Sequence, residues 1–319
     1  MDAAARRTAF FRYEGPTWLV VVAIYGAWAA LVWFHASLPW WIIVPVGAYL
    51  VAWHFSLQHE AIHSFRSAPD WLRWAVVMPP LGLWLPFPLY YKSHRTHHQN
   101  THLTEPGVDT ESFYVRAADW VRMGPALRAI LGANQTLVGR VLIGPPLRLV
   151  RLAQREAARI AAGDFSNAPH WIVHAALVAA LFVYISGIAG MPWWQYLLLV
   201  AWPAFALGWV RSFAEHSFGP PVGVGRNASG TRPLADARPG ERTAITEAGW
   251  FWSLLFLNNN LHAVHHLYPK MPWFEVPGAY RANRERVLAH NGGYRFASYA
   301  EIARRWLLRP VFAPPHPRW

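Results

Sequence analysis

Residues 13–65 read YEGPTWLVVVAIYGAWAALVWFHASLPWWIIVPVGAYLVAWHFSLQHEAIHSF, and this stretch decides the fold. From Arg12 to Arg66 the chain runs 53 residues without a lysine or arginine, and 160–210 runs 51 residues in the same way. All 29 basic residues lie outside these two windows. Each window can hold two apolar spans of about 20 residues and a short turn. The spacing predicts spans at 17–36, 38–56, 170–188 and 193–210, paired as two hairpins. A soluble domain seldom leaves such gaps, because its helices need a charged outer face.

A hairpin returns the chain to the side it left. The N-terminus, 57–169 and 211–319 therefore share one side, and that side holds every lysine and arginine. The turns at 35–40 and 187–193 hold none. The positive-inside rule puts the loaded side in the cytoplasm. The expected location is the bacterial inner membrane, with both termini cytoplasmic. The formal charge of +12 and pI of about 10.4 thus mark one face of a membrane protein and speak against a nucleic-acid partner. The opening MDAAARRTAFFRYEG has no apolar core directly behind its basic residues and no small-residue cleavage site, so a cytoplasmic head is expected. No linker suggests a second domain. The expectation for 1–319 is one all-α integral membrane domain: four transmembrane helices under a cytoplasmic helical cap formed by 57–169 and 211–319.

A weak repeat supports the hairpins. Leu38-Pro39-Trp40-Trp41 opens the second helix of one, and Met191-Pro192-Trp193-Trp194 opens that of the other. Tryptophan favours the membrane interface, and proline at a helix start lacks only an N–H that would be unpaired anyway. Each second helix is expected to deliver a histidine just past its cytoplasmic end, His59 and His216. The stretches 71–91, 136–152 and 249–257 are too short or too interrupted by proline and arginine to span, and lie at the bilayer surface on this reading. Arg151, Arg155 and Arg159 form a basic face suited to anionic headgroups. The Gly/Pro/Arg-rich loop 219–242 is a cytoplasmic excursion.

Eight of the 16 histidines fall into three clusters: His59-Glu-Ala-Ile-His63, His94-Arg-Thr-His97-His98 and His262-Ala-Val-His265-His266. On a helix, residues at i, i+3 and i+4 share a face, so each cluster turns its imidazoles towards one point. Imidazole is the commonest metal ligand, and there is no cysteine for thiolate sites, disulfides or a thiol nucleophile. HEAIH also matches the zinc-protease pattern, with Glu60 as the would-be base. That reading leaves two clusters without a purpose, since a catalytic zinc takes three protein ligands. Imidazole-rich sites with open positions suit iron that handles O2.

These three boxes, HxxxH, HxxHH and HxxHH, with RSFAEHS at 211–217 and NNNLHAVHHLYP at 258–269, resemble the membrane fatty acid desaturase superfamily. That superfamily includes acyl desaturases, hydroxylases, and carotenoid ketolases and hydroxylases. The resemblance, from about His59 to Pro272, implies a four-helix membrane bundle and a non-haem di-iron centre. It implies His59, His63, His94, His97, His98, His262, His265 and His266 as ligands of two iron ions. Relatives often recruit one more histidine after the fourth span, where His216 stands. Glu60, Glu105, Asp109, Glu215 and Asn260 lie near the boxes and are candidates to bond the ligands' second ring nitrogens. Among the remaining histidines, His54 faces away from His59 by helical geometry. His102 is expected beside the ligands but not among them, and His170 and His174 at the interface.

The implied chemistry is O2-dependent removal of hydrogen from an unactivated C–H bond of a long-chain lipid, most simply acyl desaturation. Hydroxylation or oxidative decarboxylation of a fatty acid begins alike, and carotenoid oxidation is the nearest rival. Without cysteine for an iron–sulfur module, and without a Gly-rich nucleotide fingerprint, electrons must come from a separate donor such as ferredoxin. The basic face would attract an acidic one, with Arg281, Arg284 and Arg286 as its expected contact.

Overall fold

The computed structural model describes residues 9–99, 102–218, 221, 223–225 and 242–318. The first eight residues of the expected head and most of the 219–242 loop lie outside them. The chain is mostly helical, at 65%. It divides into two compact units, one of residues 1–91, 152–208 and 272–274, the other of 92–151, 209–271 and 275–319.

Among the described residues of the first unit, three helices are long and apolar enough to cross a membrane: Gly15–Trp33, Trp40–His63 and Ala168–Ile188. Along the first of them Val20, Ile24, Trp28 and Leu31 repeat at helical spacing and are buried. Leu19 and Val22, on other faces, are 62% and 69% exposed. A helix apolar all round has no water-facing side, and lipid is the solvent that suits it. Pro16 fits the first turn, and Glu14 just before it holds the chain beyond the second helix. Its carboxylate accepts the backbone N–H groups of Arg66 and Ser67 at 2.9 and 2.7 Å.

The second helix runs on to His63, past the boundary at 56 that hydropathy suggests. Ser56, Gln58, His59 and Glu60 are polar but tolerate a helix, and the first breaker is Pro69. His59 and His63 therefore stand on the last turn of the helix and not beyond its end. Gly47 permits close packing on this helix, since a Cβ there would lie 2.9 Å from Val200 Cγ2.

Val200 belongs to the fourth apolar stretch, which is not one unbroken helix. Regular turns at Trp193–Tyr196 give way to a π-helical stretch at Leu197–Ala201, and Trp202–Ser212 follows. Pro203, just after the wide turn, offers no N–H to the carbonyl of Leu199. Tyr196 pins this region: its hydroxyl accepts from Trp28 Nε1 at 3.0 Å and donates to the Leu81 carbonyl at 2.8 Å.

The second unit contains residues 92–99 of the helix Phe87–Gln99, most of Leu137–Ala161, and the helices His262–Leu267, Val276–His290 and Tyr299–Trp306. Ile245, Leu261, Val264, Val276, Tyr280 and Val287 form its apolar core. Two short strands, Ile245–Thr246 and Arg295–Phe296, pair in parallel, with Ile245 opposite Arg295. Ser298 caps the last helix by accepting the N–H of Glu301, whose carboxylate reaches back to the N–H of Ala297.

Candidate metal centre

The second unit gathers seven imidazoles. The ligand-capable nitrogens of His97, His216, His262 and His266 all lie within 4.8 Å of one another. Those of His94, His98 and His265 are equally close among themselves. Spacing explains most of this: His94, His97 and His98 share one face of a helix, and His262, His265 and His266 one face of another. The two groups abut where the rings of His98 and His266 stack at 4.3 Å. In the first unit, His59 and His63 are neighbours with ring centroids 5.0 Å apart.

The outward ring nitrogens are committed. His97 Nδ1 faces Asp109 Oδ1 at 3.0 Å, and His94 Nδ1 faces Glu111 Oε1 at 2.8 Å. His262 Nδ1 faces Asn259 Oδ1 at 2.7 Å, with Glu215 Oε1 at 3.4 Å, and His216 Nδ1 faces Thr243 Oγ1 at 3.1 Å. Carboxylate and amide oxygens only accept, so His94, His97 and His262 carry a proton on Nδ1, while the Thr243 hydroxyl can donate to His216 or accept from it. The inward Nε2 atoms converge on one another. His97 and His216 approach to 3.1 Å, His216 and His262 to 3.0 Å, His262 and His266 to 3.1 Å. The contacts His94 to His98 and His98 to His265 are each 3.1 Å. Ring nitrogens held that close need a proton or a metal ion between them. This donor set fits a metal ion.

Electrostatics agree. Burial and neighbouring imidazoles hold His216, His262 and His266 well below the usual histidine range, so they are neutral at pH 7. Burial also works against a charge on His97, but the Glu111 and Asp109 carboxylates outweigh it and lift it to about 9. The same two carboxylates that favour a proton there favour a metal's positive charge. Burial raises the Glu215 carboxyl to about 7 against the pull of Arg211, which it meets at 2.8 Å.

The other singled-out residues lie elsewhere. Glu60 accepts from Ser64 Oγ and from the backbone N–H of Trp273, the latter at 3.0 Å. Asn260 donates to the Thr246 carbonyl at 2.8 Å. Glu105 meets His102, which is half-exposed and outside both groups. His54 is buried against the Tyr25 hydroxyl at 3.2 Å, and His174 Nε2 lies 2.9 Å from the Leu83 carbonyl. His170 is exposed. Glu111, Thr243 and Asn259 were not singled out from sequence. Asn259 stands three residues before His262, within local reach, whereas nothing in the spacing points to Glu111 or Thr243.

Apolar helices of membrane-spanning length and a buried, two-part imidazole cluster define a membrane-type metal-binding protein. A family model for fatty acid desaturases matches residues 36–298, and the chain belongs to that family. Membership makes it an oxidoreductase of lipid chemistry and fits the membrane, iron and histidine-box character of the residues. A comparison with curated proteins gives no match.

Proposed function

We propose that this chain is a membrane-bound non-haem di-iron oxidoreductase that uses O2 to oxidise an unactivated C–H bond of a long-chain acyl lipid, with desaturation as its reaction. The observation that carries the reading is the pair of abutting imidazole groups whose Nδ1 atoms are committed outward and whose Nε2 atoms converge. His59, His63, His94, His97, His98, His216, His262, His265 and His266 are the proposed ligands of two iron ions. Iron would supply the oxidising power that side chains lack. The chain's own residues orient and shield. Asp109, Glu111 and Asn259 fix the tautomer and angle of His97, His94 and His262, Thr243 orients His216, Glu215 adds negative charge beside His262, and burial excludes water.

On this reading 193–210 completes four spans in two hairpins, 1–319 works as one domain, and the metal-bearing cap faces the cytoplasm of a bacterial inner membrane. Electrons come from a separate carrier of the ferredoxin kind. Against a zinc protease stands the histidine count, since a catalytic zinc takes three protein ligands; Glu60 Oε1 accepts from Ser64 and from the Trp273 N–H.

Expression of the full chain, followed by mass spectrometry of total lipids and metal analysis of the same preparation, tests the proposal. Two irons per chain and a new double bond are expected. An added hydroxyl, a terminal alkene from acid decarboxylation, or an oxygenated carotenoid would replace desaturation by that reaction. One zinc and unchanged lipids would overturn the di-iron reading.

A further inference from the structure

Arg140 is 1% exposed, in the helix Leu137–Ala161 of the second unit. Its Nε donates to the Asn134 carbonyl at 2.8 Å and its Nη2 to Gln135 Oε1 at 3.0 Å. Its guanidinium lies 3.4 Å from the Phe113 ring centroid and 5.5 Å from that of Phe213. Nη1 has no acceptor, and the buried Asn134 Oδ1 has no donor. Among the described residues no carboxylate pairs with Arg140: Asp109 and Glu111 serve His97 and His94, and Glu215 meets Arg211. Burial draws the guanidinium down to about 9, so it stays charged at neutral pH.

A buried cation facing only neutral acceptors and ring faces is costly to maintain, since aromatic faces offset part of the lost hydration and an anion offsets more. Gly144 lies against both side chains, since a Cβ there would lie 3.3 Å from Arg140 Cδ and 3.5 Å from Asn134 Oδ1. Turned over, the Asn134 amide would present two N–H donors at the same place. The stretch 213–216 connects this point to the metal centre, because Phe213 packs on Arg140 and His216 enters the imidazole cluster three residues later.

We propose that Arg140, with Asn134 and Gly144 beside it, binds the anionic head group, carboxylate or phosphate, of a single-chain lipid. That this lipid is the substrate rests on the acyl-lipid reading above. Arg140 Nη1 donates to a head-group oxygen, the Asn134 amide supplies a second bond, and Phe113 and Phe213 keep water from the pair.

Equilibrium binding of palmitate, palmitoyl lysophosphatidate and methyl palmitate to the purified full chain tests this without turnover. One of the two anions is expected to bind about 10- to 100-fold tighter than the ester, as suits a hydrogen bond to a charged group, and which one does so names the head group. Arg140→Gln is expected to erase that advantage and leave ester binding unchanged, while Arg140→Lys keeps part of it. Asn134→Asp supplies an internal counter-charge. It is expected to erase the preference while raising the melting temperature, so the test survives if Arg140→Gln fails to fold. Equal binding of anions and ester, as a bridging water alone at Nη1 would give, overturns the proposal, as does an intact preference in Asn134→Asp. Lipid oxidation with no head-group preference would remove this site and keep the reaction. A head-group preference with no oxidised lipid would do the reverse.

Discussion

His59 and His63 owe their places to the one helix that carries them, whereas His216 owes its place to residues far along the chain. The two stretches that lead to them open alike. Trp40 and Trp41 after Pro39 are 63% and 60% exposed, and Trp193 and Trp194 after Pro192 are 58% and 51%. They then diverge. Trp40–His63 continues as a helix for 24 residues and sets His59 above His63 by the i, i+4 rule. The other stretch passes through its π-helical turn and stops at Ser212, short of His216. His216 is instead bridged to Thr243, flanked by the bonds Ser217 N–H to the Arg242 carbonyl at 3.2 Å and Ala244 N–H to the Glu215 carbonyl at 2.8 Å. A paired motif positions itself, but a lone ligand needs a clasp from elsewhere.

Removing the wide turn breaks the comparison most severely. Deleting Leu198 would restore a regular helix and rotate its end at Ser212 by about 100° against the clasp that holds His216, straining the three residues between them. The expected result is a chain still recovered in the membrane fraction with essentially no bound metal. Metal retained at the wild-type level would show that the π turn does not set the His216 register.

Single histidines sharpen the contrast within one experiment. His216→Ala is expected to remove at least one of the metal ions counted per chain. His54→Phe, on the same helix as His59 but turned towards Tyr25, is expected to keep the metal and lose about 1 kcal/mol of stability with its hydrogen bond. Equal metal loss in both would mean that the imidazole groups are not the binding site.

The outward partners come next in size. Asp109→Asn takes the negative charge from the partner of the His97 ring, and Thr243→Val frees the His216 ring. Each is expected to weaken metal affinity about 10- to 100-fold, read by competition with a chelator. The carboxylate should be the larger loss, because it also supplies charge. A Thr243→Val protein that holds metal as tightly as wild type would place the control of His216 in its backbone bridge alone.

These partners also mark where sequence stops being legible. The basic-free windows around 13–65 and 160–210 and the i, i+3, i+4 histidines are local patterns, and a helix converts them directly into apolar faces and convergent rings. The π turn before Pro203 is a one-residue change of pitch that hydropathy cannot register. The continuation of the second helix through Ser56 to His63 is hidden because polarity marks the membrane boundary and not the helix end. The bonds His94 to Glu111 and His216 to Thr243 span 17 and 27 residues and depend on loop paths that no periodicity encodes. Arg140 is the extreme case: in the sequence it is one of the arginines that interrupt 136–152, and only packing reveals it buried beside Phe113 and Phe213.

The smallest effect probes the far end of the clasp that holds His216. Glu247, four residues beyond Thr243, donates its backbone N–H to the Phe296 carbonyl at 2.8 Å, and its carboxylate accepts from Tyr280 at 2.7 Å and Arg284 at 2.8 Å. Partial burial pushes this carboxyl up, but the bonds from Arg284 and Tyr280 outweigh that and leave it below the ordinary 4.5. A carboxyl depressed in the fold favours the folded state while it is ionised. Its contribution is therefore fully present above about pH 4.5 and fades as pH falls through the lower folded value. Arg284 and Arg295 are 45% and 35% exposed, so solvent weakens both pairs. Glu247→Gln is expected to lower the melting temperature by about 2 °C at pH 7, with the gap to wild type closing below pH 4. Metal affinity should fall less than in Thr243→Val, since the strand pairing at Ile245 still holds the clasp. A gap that persists unchanged into acid would mean that Glu247 acts through packing and not through its charge.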